Sequence, residues 1–433
     1  MLTQGDNELI CRTGPGTAMG ASMRHFWVPA LLASELPESD GDPVHVELLG
    51  ENFVAFRDST GQVGLLDEMC CHRGASLTLG RVENCGIRCI YHGWLFAADG
   101  NILETPNVAD PRFKRRFKAK SYPVREAGGF IWAYLGSDKA LPAFPDFSWI
   151  NAPASMRMAT LQVNGCNYLQ MIEGLLDSSH LTVLHSSALQ AAAASDTHFA
   201  KATSHMKFDA APRVESEETR FGLHYAAIRL LDGMEETRVC AFASPFWTFH
   251  PNGDIWIACV PMTDEKTAFY TVWWDGKQHY GEEPLKSGQR KQIGFDDDTL
   301  LSYGQTRSTF DSGRHMDRSN GFRQDRQLMA RGHFSGVPAL ALEDSLVCVS
   351  AGPLRSREQE TLSRADLAIS HLFRFLLKSA RQVRDGGRPI GAGVSFADIV
   401  GLNACVAPGT DWRSLVPQHR NSAPVAAVAA GGG

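Results

Sequence analysis

From Val44 onward the apolar residues fall in short runs with polar breaks, the mark of β-strands rather than helices. VHVELL, NFVAFRD and QVGLLD come first, and WLFAADGNIL follows with Asp99-Gly100-Asn101 as a hairpin turn between apolar strands. FIWAYLG, Phe130 to Gly136, reads as the strand that closes a small β domain. Ahead of these, RHFWVPALLASELP is read as a short helix and a packing segment within an N-terminal lead-in. The proline-rich LPAFPDF at 141–147 marks a linker. Beyond it come a candidate strand at Met156–Gly165 and a helix starting near Cys166. Alternating segments at 203–211, 222–231, 236–243 and 254–275 are rich in Val, Ile, Phe and Trp, as half-buried antiparallel strands are. Residues 283–330 are polar helix and loop, and RADLAISHLFRFLLKSARQV forms a last amphipathic helix. After Pro417 the chain turns small and featureless, which predicts disorder. The expected division is a lead-in over 1–42, a β domain over 43–140, a second domain over 141–416 and a tail over 417–433.

The length of 433 residues suits two domains, and 43% apolar with 21% charged residues is ordinary for a globular protein. A net charge of −6 argues against nucleic acid as the main partner. Ten cysteines without a secretory pattern in Met1–Gly20 predict a reducing cytoplasm. No run approaches the roughly 18 apolar residues of a membrane span. Gly14-Pro15-Gly16 lacks both the preceding strand and the glycine spacing of a phosphate loop.

Cys70-Cys71-His72 and, after sixteen intervening residues, Cys89-Ile90-Tyr91-His92 set a C-x-H and a C-x2-H on two loops. Two soft thiolates and two imidazoles suit a [2Fe–2S] cluster with mixed ligation, cysteines on one iron and histidines on the other. Zinc is the plain alternative, but zinc fingers pair cysteine with cysteine and histidine with histidine, whereas each arm here supplies one of each. Cys71 is a spare thiol, read as packing. Arg112 to Lys120 (RFKRRFKAK) carries six positive charges. It reads as a solvated loop, with a docking surface for an acidic electron donor as the alternative.

The helix after Cys166 holds a second set of candidates. At about 100° per residue, Gln170, Glu173, Asp177 and His180 fall within an arc of roughly 80°. So many polar groups on one face of an apolar helix need partners or work. Asp177 and His180 can touch, being three apart. His185 would point about 140° away from His180 on a regular helix, so both reach one metal only if the helix ends or bulges between them. Two histidines and one carboxylate form a facial triad that leaves iron open positions for dioxygen chemistry.

Both cluster arms, with His72-Arg73-Gly74 and His92-Gly93-Trp94, and EG-x-x-D-x-x-H-x4-H over Glu173–His185 resemble the α subunits of Rieske non-haem iron aromatic-ring oxygenases. The resemblance covers most of residues 20–385 and is greatest to the phthalate dioxygenase and aromatic-acid O-demethylase branch. Ala75 and Tyr91 stand where respiratory Rieske proteins carry an additional cysteine pair, and Cys71 stands where most relatives have proline. The family implies an α+β fold: a Rieske antiparallel β-sandwich domain and a helix-grip (START-like) catalytic domain with an antiparallel sheet. It implies that Cys70, His72, Cys89 and His92 bind the [2Fe–2S] cluster and that His180, His185 and Asp344 bind mononuclear Fe(II). Asp344 lies in ALEDSLVCVS; Glu343 is its nearest competitor, and Asp311 and Asp325 are further ones. The family gives Asp177 the catalytic bridging role between His180 and His92 of a neighbouring copy in a homotrimer.

O2 is then the co-substrate, and electrons come from NAD(P)H through a separate reductase. The expected reaction is ring hydroxylation or dihydroxylation of an aromatic carboxylate; the alternative is O-demethylation of a methoxylated aromatic acid with release of formaldehyde. Arg229 and Arg238, on predicted strands, are the candidates for holding the substrate carboxylate. The Ala-rich 188–200 segment is a candidate lid. A bare electron-transfer protein would need only residues 40–140, and a zinc-stabilised binding module would be colourless.

Overall fold

Short apolar runs broken by turns build three small antiparallel sheets in the N-terminal part of the protein. The computed structural model describes residues 2–138, 140–193, 209–252 and 255–417. One sheet joins β1 (Trp27–Leu32), β10 (Phe130–Tyr134) and β9 (Val124–Ala127). Another joins β2 (Val44–Leu48), β3 (Glu51–Arg57) and β4 (Val63–Asp67). The third joins β5 (Arg81–Glu83), β6 (Gly86–Arg88), β7 (Leu95–Phe96) and β8 (Ile102–Glu104).

Within RHFWVPALLASELP, read as a short helix and a packing segment, Trp27–Leu32 is a strand and Ala33–Glu35 a single 3-10 turn. Pro29 lacks the N–H that a helix interior needs. As part of β1 it pairs with β10 instead, and a register shift between Pro29 and Leu31 accommodates the missing donor. Every residue of β10 is buried. Phe130 and Trp132 pack against Trp149, Trp247 and Trp256 of the C-terminal part, so one aromatic core is shared by both parts. A smaller core of Val54, Phe56, Leu66, Leu77, Ile87, Trp94 and Phe96 lies under the two Cys/His loops.

The C-terminal part is organised on an eight-stranded antiparallel sheet. Its order is β11 (Met158–Asn164), β17 (Lys266–Trp273), β16 (Ile255–Thr263), β15 (Trp247–Phe249), β14 (Met234–Ala243), β13 (Gly222–Leu231) and β12 (Arg213–Glu218), with β18 (Leu402–Val406) pairing on β14. The expected run 254–275 is two strands folded back on each other at Thr263–Lys266. Of the strand expected at 203–211, residues 203–208 lie outside the described residues, and 209–211 are not strand. β12, RVESEE, has no apolar alternation to announce it; as an edge strand it needs little.

Helices cover this sheet and carry the chemistry. α1 (Gln4–Cys11) and α2 (Ala18–Met23) of the lead-in pack on the long C-terminal amphipathic helix Leu367–Arg384, which itself covers β12 and β13. α3 (Tyr168–Leu175), α4 (Leu181–Leu184) and α5 (Ser186–Ala193) follow β11, and α6 (Leu340–Ser350) packs on α3. Among the described residues no helix is long and apolar enough to cross a membrane.

Candidate active site

The two Cys/His loops have the same local build. In the first, Cys70 N–H donates to Ala75 O at 2.8 Å and Gly74 N–H to Cys70 O at 2.9 Å. In the second, Cys89 N–H donates to Trp94 O at 2.9 Å and Gly93 N–H to Cys89 O at 3.0 Å. Gly74 and Gly93 close these turns at φ +71° and +73°, where a side chain is disfavoured. A Cβ on Gly93 would also sit 3.1 Å from Pro106. Each turn points its thiol inward and leaves its imidazole nearer the surface: Cys70 and Cys89 are buried, and His72 and His92 are half-buried.

The two imidazoles meet with ring centroids 4.6 Å apart, and His72 stacks on Trp94 at 4.3 Å with the planes 3° apart. Burial, with Cys89 alongside, pushes the Cys70 thiol up to about 11. Burial and the neighbouring His92 push His72 down, so its imidazole is neutral and free to ligate. Two inward thiols beside two paired imidazoles fit a mixed-ligand two-iron cluster.

The second group depends on a broken helix. α3 stops at Leu175, Asp177–His180 forms a turn, and α4 is only four residues long. The break lets His180 and His185 converge, with ring centroids 5.1 Å apart. Asp344, from α6, completes the group: its Oδ1 lies 3.4 Å from His180 Nε2 and 3.1 Å from His185 Nε2. One ligand atom from each of the three lies within 4.8 Å of the others. The buried His185 Nε2 lacks the alignment of a hydrogen bond despite that approach. A nitrogen so placed, beside a second imidazole and a carboxylate, fits a metal ion.

Each histidine is turned by a carboxylate on its other nitrogen. His180 Nδ1 lies 3.2 Å from Asp177 Oδ2, while Asp177 Oδ1 accepts from the Ser179 N–H and hydroxyl at 2.7 and 2.6 Å. His185 Nδ1 donates to Glu343 Oε2 at 2.7 Å, and the Ser335 hydroxyl donates to Glu343 Oε1 at 2.6 Å. Glu343 is therefore not in the triad; it fixes which nitrogen of His185 faces Asp344. Burial opposes charge here, yet the facing carboxylates hold His180 up at about 10 and His185 at about 9. Burial likewise opposes the Asp344 carboxylate, and the two histidines hold it well below the usual range. The remaining polar groups of α3 have structural partners: Gln170 donates to Cys348 O and Gly352 O, and Glu173 pairs with Arg355 and Arg357. Of the further carboxylates weighed, Asp325 caps a helix by accepting from the Gln327 and Leu328 N–H groups, and the side chain of Asp311 lies outside the described residues.

The Rieske [2Fe-2S] domain family matches residues 26–123, and the family described as LigXa C-terminal domain like matches residues 133–430. The chain is 35% identical to the phthalate 4,5-dioxygenase oxygenase subunit of Pseudomonas putida, over 97% of this chain and 96% of that protein. The chain belongs to the Rieske oxygenases. It is also 30% identical to the 5,5'-dehydrodivanillate O-demethylase oxygenase subunit of a Sphingobium strain, over 90% of this chain and 83% of that one. NdmA of Pseudomonas putida CBB5, in a variant with theobromine, shares the fold at a TM-score of 0.56 and 17% identity, covering 91% of this chain and 100% of that one. The Rieske oxygenases use a [2Fe–2S] cluster, mononuclear iron and O2, with electrons from a separate reductase.

In this Rieske oxygenase the two arginines expected at the substrate take different places. Arg229 and Arg238 lie on one face of the sheet, since Arg229 is opposite Glu236 and Arg238 opposite Ala227. Arg229 does not serve as a free clamp: its Nε donates to Asp209 O, and its terminal nitrogens donate to the Ser178 hydroxyl and carbonyl. It braces the turn that holds Asp177. Arg238 lines the cavity shared with His180, His185 and Asp344 and is 1% exposed. Its Nη2 donates to Asn252 Oδ1 at 3.2 Å, while among the described residues Nε and Nη1 have no hydrogen-bond partner. Burial pushes its guanidinium down to about 10.

His250, which sequence reasoning missed, lines the same cavity; burial and the Arg238 charge push it down to about 3, so it is neutral. Its only sequence signal is its position just before a Pro-Asn-Gly turn between apolar strands. The proposed lid, 188–200, lies outside the described residues from 194 onward. A larger groove between β2, β11 and the helices after residue 284 shares no residue with the triad.

Proposed function

We propose that Cys70, His72, Cys89 and His92 hold the cluster, that His180, His185 and Asp344 hold the iron, and that the substrate is an aromatic carboxylate bound by Arg238. The observation that carries the substrate reading is the Arg238 guanidinium: desolvated, partly unpartnered and beside the triad. A buried guanidinium with open donors calls for an anion, and its planar fork matches a carboxylate. Bound iron would supply the activation of O2. Arg238 anchors the acid and sets which ring position lies over the triad, while the neutral His250 adds a polar contact without repelling Arg238. Asp177 and Glu343 keep both Nδ1 atoms engaged, so both Nε2 lone pairs face Asp344.

The reaction so supported is hydroxylation or dihydroxylation of the ring. The 30% identity to an O-demethylase supports a second reading, in which an aryl methoxy carbon is hydroxylated and formaldehyde leaves. Incubation with 18O2 and a panel of benzoates, phthalates and methoxybenzoates decides between them. Label in a ring hydroxyl supports the first, and formaldehyde from a methoxy acid the second. Turnover of neutral aromatics alone removes the carboxylate.

We also propose a homotrimer in the cytoplasm. Exposed Met69, Ile90 and Tyr91 surround the cluster loops, and exposed Val183 and Val347 flank the triad. Covering one patch with the other in a neighbouring copy would bring His92 to the partner's triad, with Asp177 as the bridge. None of the ten cysteines is paired in a disulfide, which suits a reducing compartment. Sedimentation equilibrium tests the trimer; a monomer would refute it. The electron source is NAD(P)H acting through the reductase.

A further inference from the structure

The segment from Arg112 to Lys120 belongs to neither metal site, yet it is tied to one of them. Among the described residues its six cations form ion pairs with only two carboxylates. Asp110 lies 3.5 Å from Arg112 and 3.8 Å from Arg116, and Asp67 lies 3.9 Å from Lys120. These are loose, exposed pairs that neutralise little. The patch is therefore positive on a chain whose overall charge is −6.

Interleaved with the cations are two phenylalanines that do not point idly to water. Phe117 is 51% exposed and packs on Phe113 with centroids 5.0 Å apart. Phe113 meets the buried Trp94 edge-on at 5.8 Å, and Trp94 stacks on His72 at 4.3 Å. Asn107 holds that indole in place, accepting its N–H at 2.7 Å. An unbroken row of rings runs from the basic surface to one of the two imidazoles of the cluster loops. A loop that was merely solvated would need neither the row nor the apolar residue at its outer end.

We infer that the Arg112–Lys120 face is where the separate reductase docks, through an acidic surface around its own redox centre, and that electrons pass inward along Phe117, Phe113 and Trp94 to His72. The step is a one-electron transfer: the donor's centre loses one electron and the oxidised cluster gains it, with no bond made or broken. This leaves His92, the other imidazole, for onward transfer. The inference rests on His72 and His92 as cluster ligands. Opposite charges at such a face raise the association rate and make it salt-dependent.

The test uses the full-length enzyme with its cluster and, as donor, a photoreduced acidic plant-type [2Fe–2S] ferredoxin. Cluster reduction is followed by its visible absorption in stopped flow. For the native enzyme the second-order rate should fall steeply from about 0.01 M to about 1 M salt, as the screening length contracts from ~30 Å to ~3 Å. Arg112→Glu/Arg115→Glu/Arg116→Glu should cut the low-salt rate by about tenfold or more and flatten the salt dependence. Phe117→Ala should leave the salt dependence intact and lower the limiting rate at saturating donor. Dithionite, which needs no docking, should reduce all three proteins alike.

A ferredoxin rate that is absent, insensitive to salt or unchanged in the triple variant overturns the docking face. A limiting rate unchanged in Phe117→Ala overturns the route. A native enzyme with no cluster spectrum instead sinks the ligand assignment on which both stand.

Discussion

Replacing Arg238 with methionine separates a substrate clamp from a structural arginine, because the two make opposite predictions for stability. Methionine keeps much of the stem and fills the cavity wall without a charge. In the folded protein the guanidinium is fully buried, and desolvation pushes its pKa down from the ordinary arginine value to about 10. That shift corresponds to about 3 kcal/mol working against the charged form. At neutral pH both folded and unfolded chains keep the charge, so this cost does not vary with pH there. The variant therefore loses the Asn252 hydrogen bond, worth about 1 kcal/mol, and is relieved of the larger burial cost. Its melting temperature should hold or rise.

Binding should move the other way. Two open donors, Nε and Nη1, can reach a carboxylate, and a hydrogen bond to a charged group contributes about 1.5–3 kcal/mol. Counting the pair conservatively as ~3 kcal/mol gives an affinity for the acid weaker by roughly 150-fold at 1.4 kcal/mol per decade. Calorimetric titration with the acid and its methyl ester, beside thermal unfolding, measures both quantities. The native enzyme should discriminate strongly between acid and ester, and Arg238→Met should not. Unchanged acid affinity with a lowered melting temperature would mean that the guanidinium only holds the sheet together, and the carboxylate reading would fall.

His180→Ala should lower iron from about three to about two per chain and abolish turnover while leaving the cluster spectrum intact; metal analysis and spectroscopy check this, and retained activity would refute the triad. Asp177→Asn should keep both metals but slow substrate-triggered oxidation of the reduced cluster, because an amide cannot accept from two imidazoles as a carboxylate can; an unchanged stopped-flow rate removes the bridge. Glu343→Gln should weaken mononuclear iron binding by about 10- to 100-fold without touching the cluster, measured as iron retained against a chelator. The metal-free triad should show a pH signature. His180 is raised to about 10 and His185 to about 9, so their contribution to stability is complete below the ordinary imidazole value of about 6.5 and disappears as pH climbs through the raised values. Metal-free protein should therefore lose stability between those limits, and iron binding near neutrality should release protons; calorimetry in buffers of different ionisation enthalpy that detects no release would contradict the shifts.

The Cys/His loops and the Asp177–His180–His185 run are legible in the chain because ligand chemistry restricts residue type and short-range spacing together. The same holds for the central strands, where burial of one face writes the alternation directly. Asp344 could be reached only through family resemblance, since it meets His180 from more than 160 residues away and no local rule links them. Glu343, its neighbour in sequence, offers the same carboxylate; only the turn of α6 decides that Asp344 faces both Nε2 atoms while Glu343 reaches behind His185. Arg229 and Arg238 look alike as strand arginines, and the fold alone ties one to Ser178 and leaves the other open to the cavity. β1 was misread because a strand with a proline and few polar positions carries no period, and its state is set by pairing with β10 a hundred residues on. His250 is silent in sequence for the same reason: a lone imidazole has no pattern, and it joins the site only because the end of β15 reaches the cavity beside the triad. Local chemistry is thus written in the sequence, whereas which face a side chain presents to a distant partner is settled only when the sheet and helices close on one another.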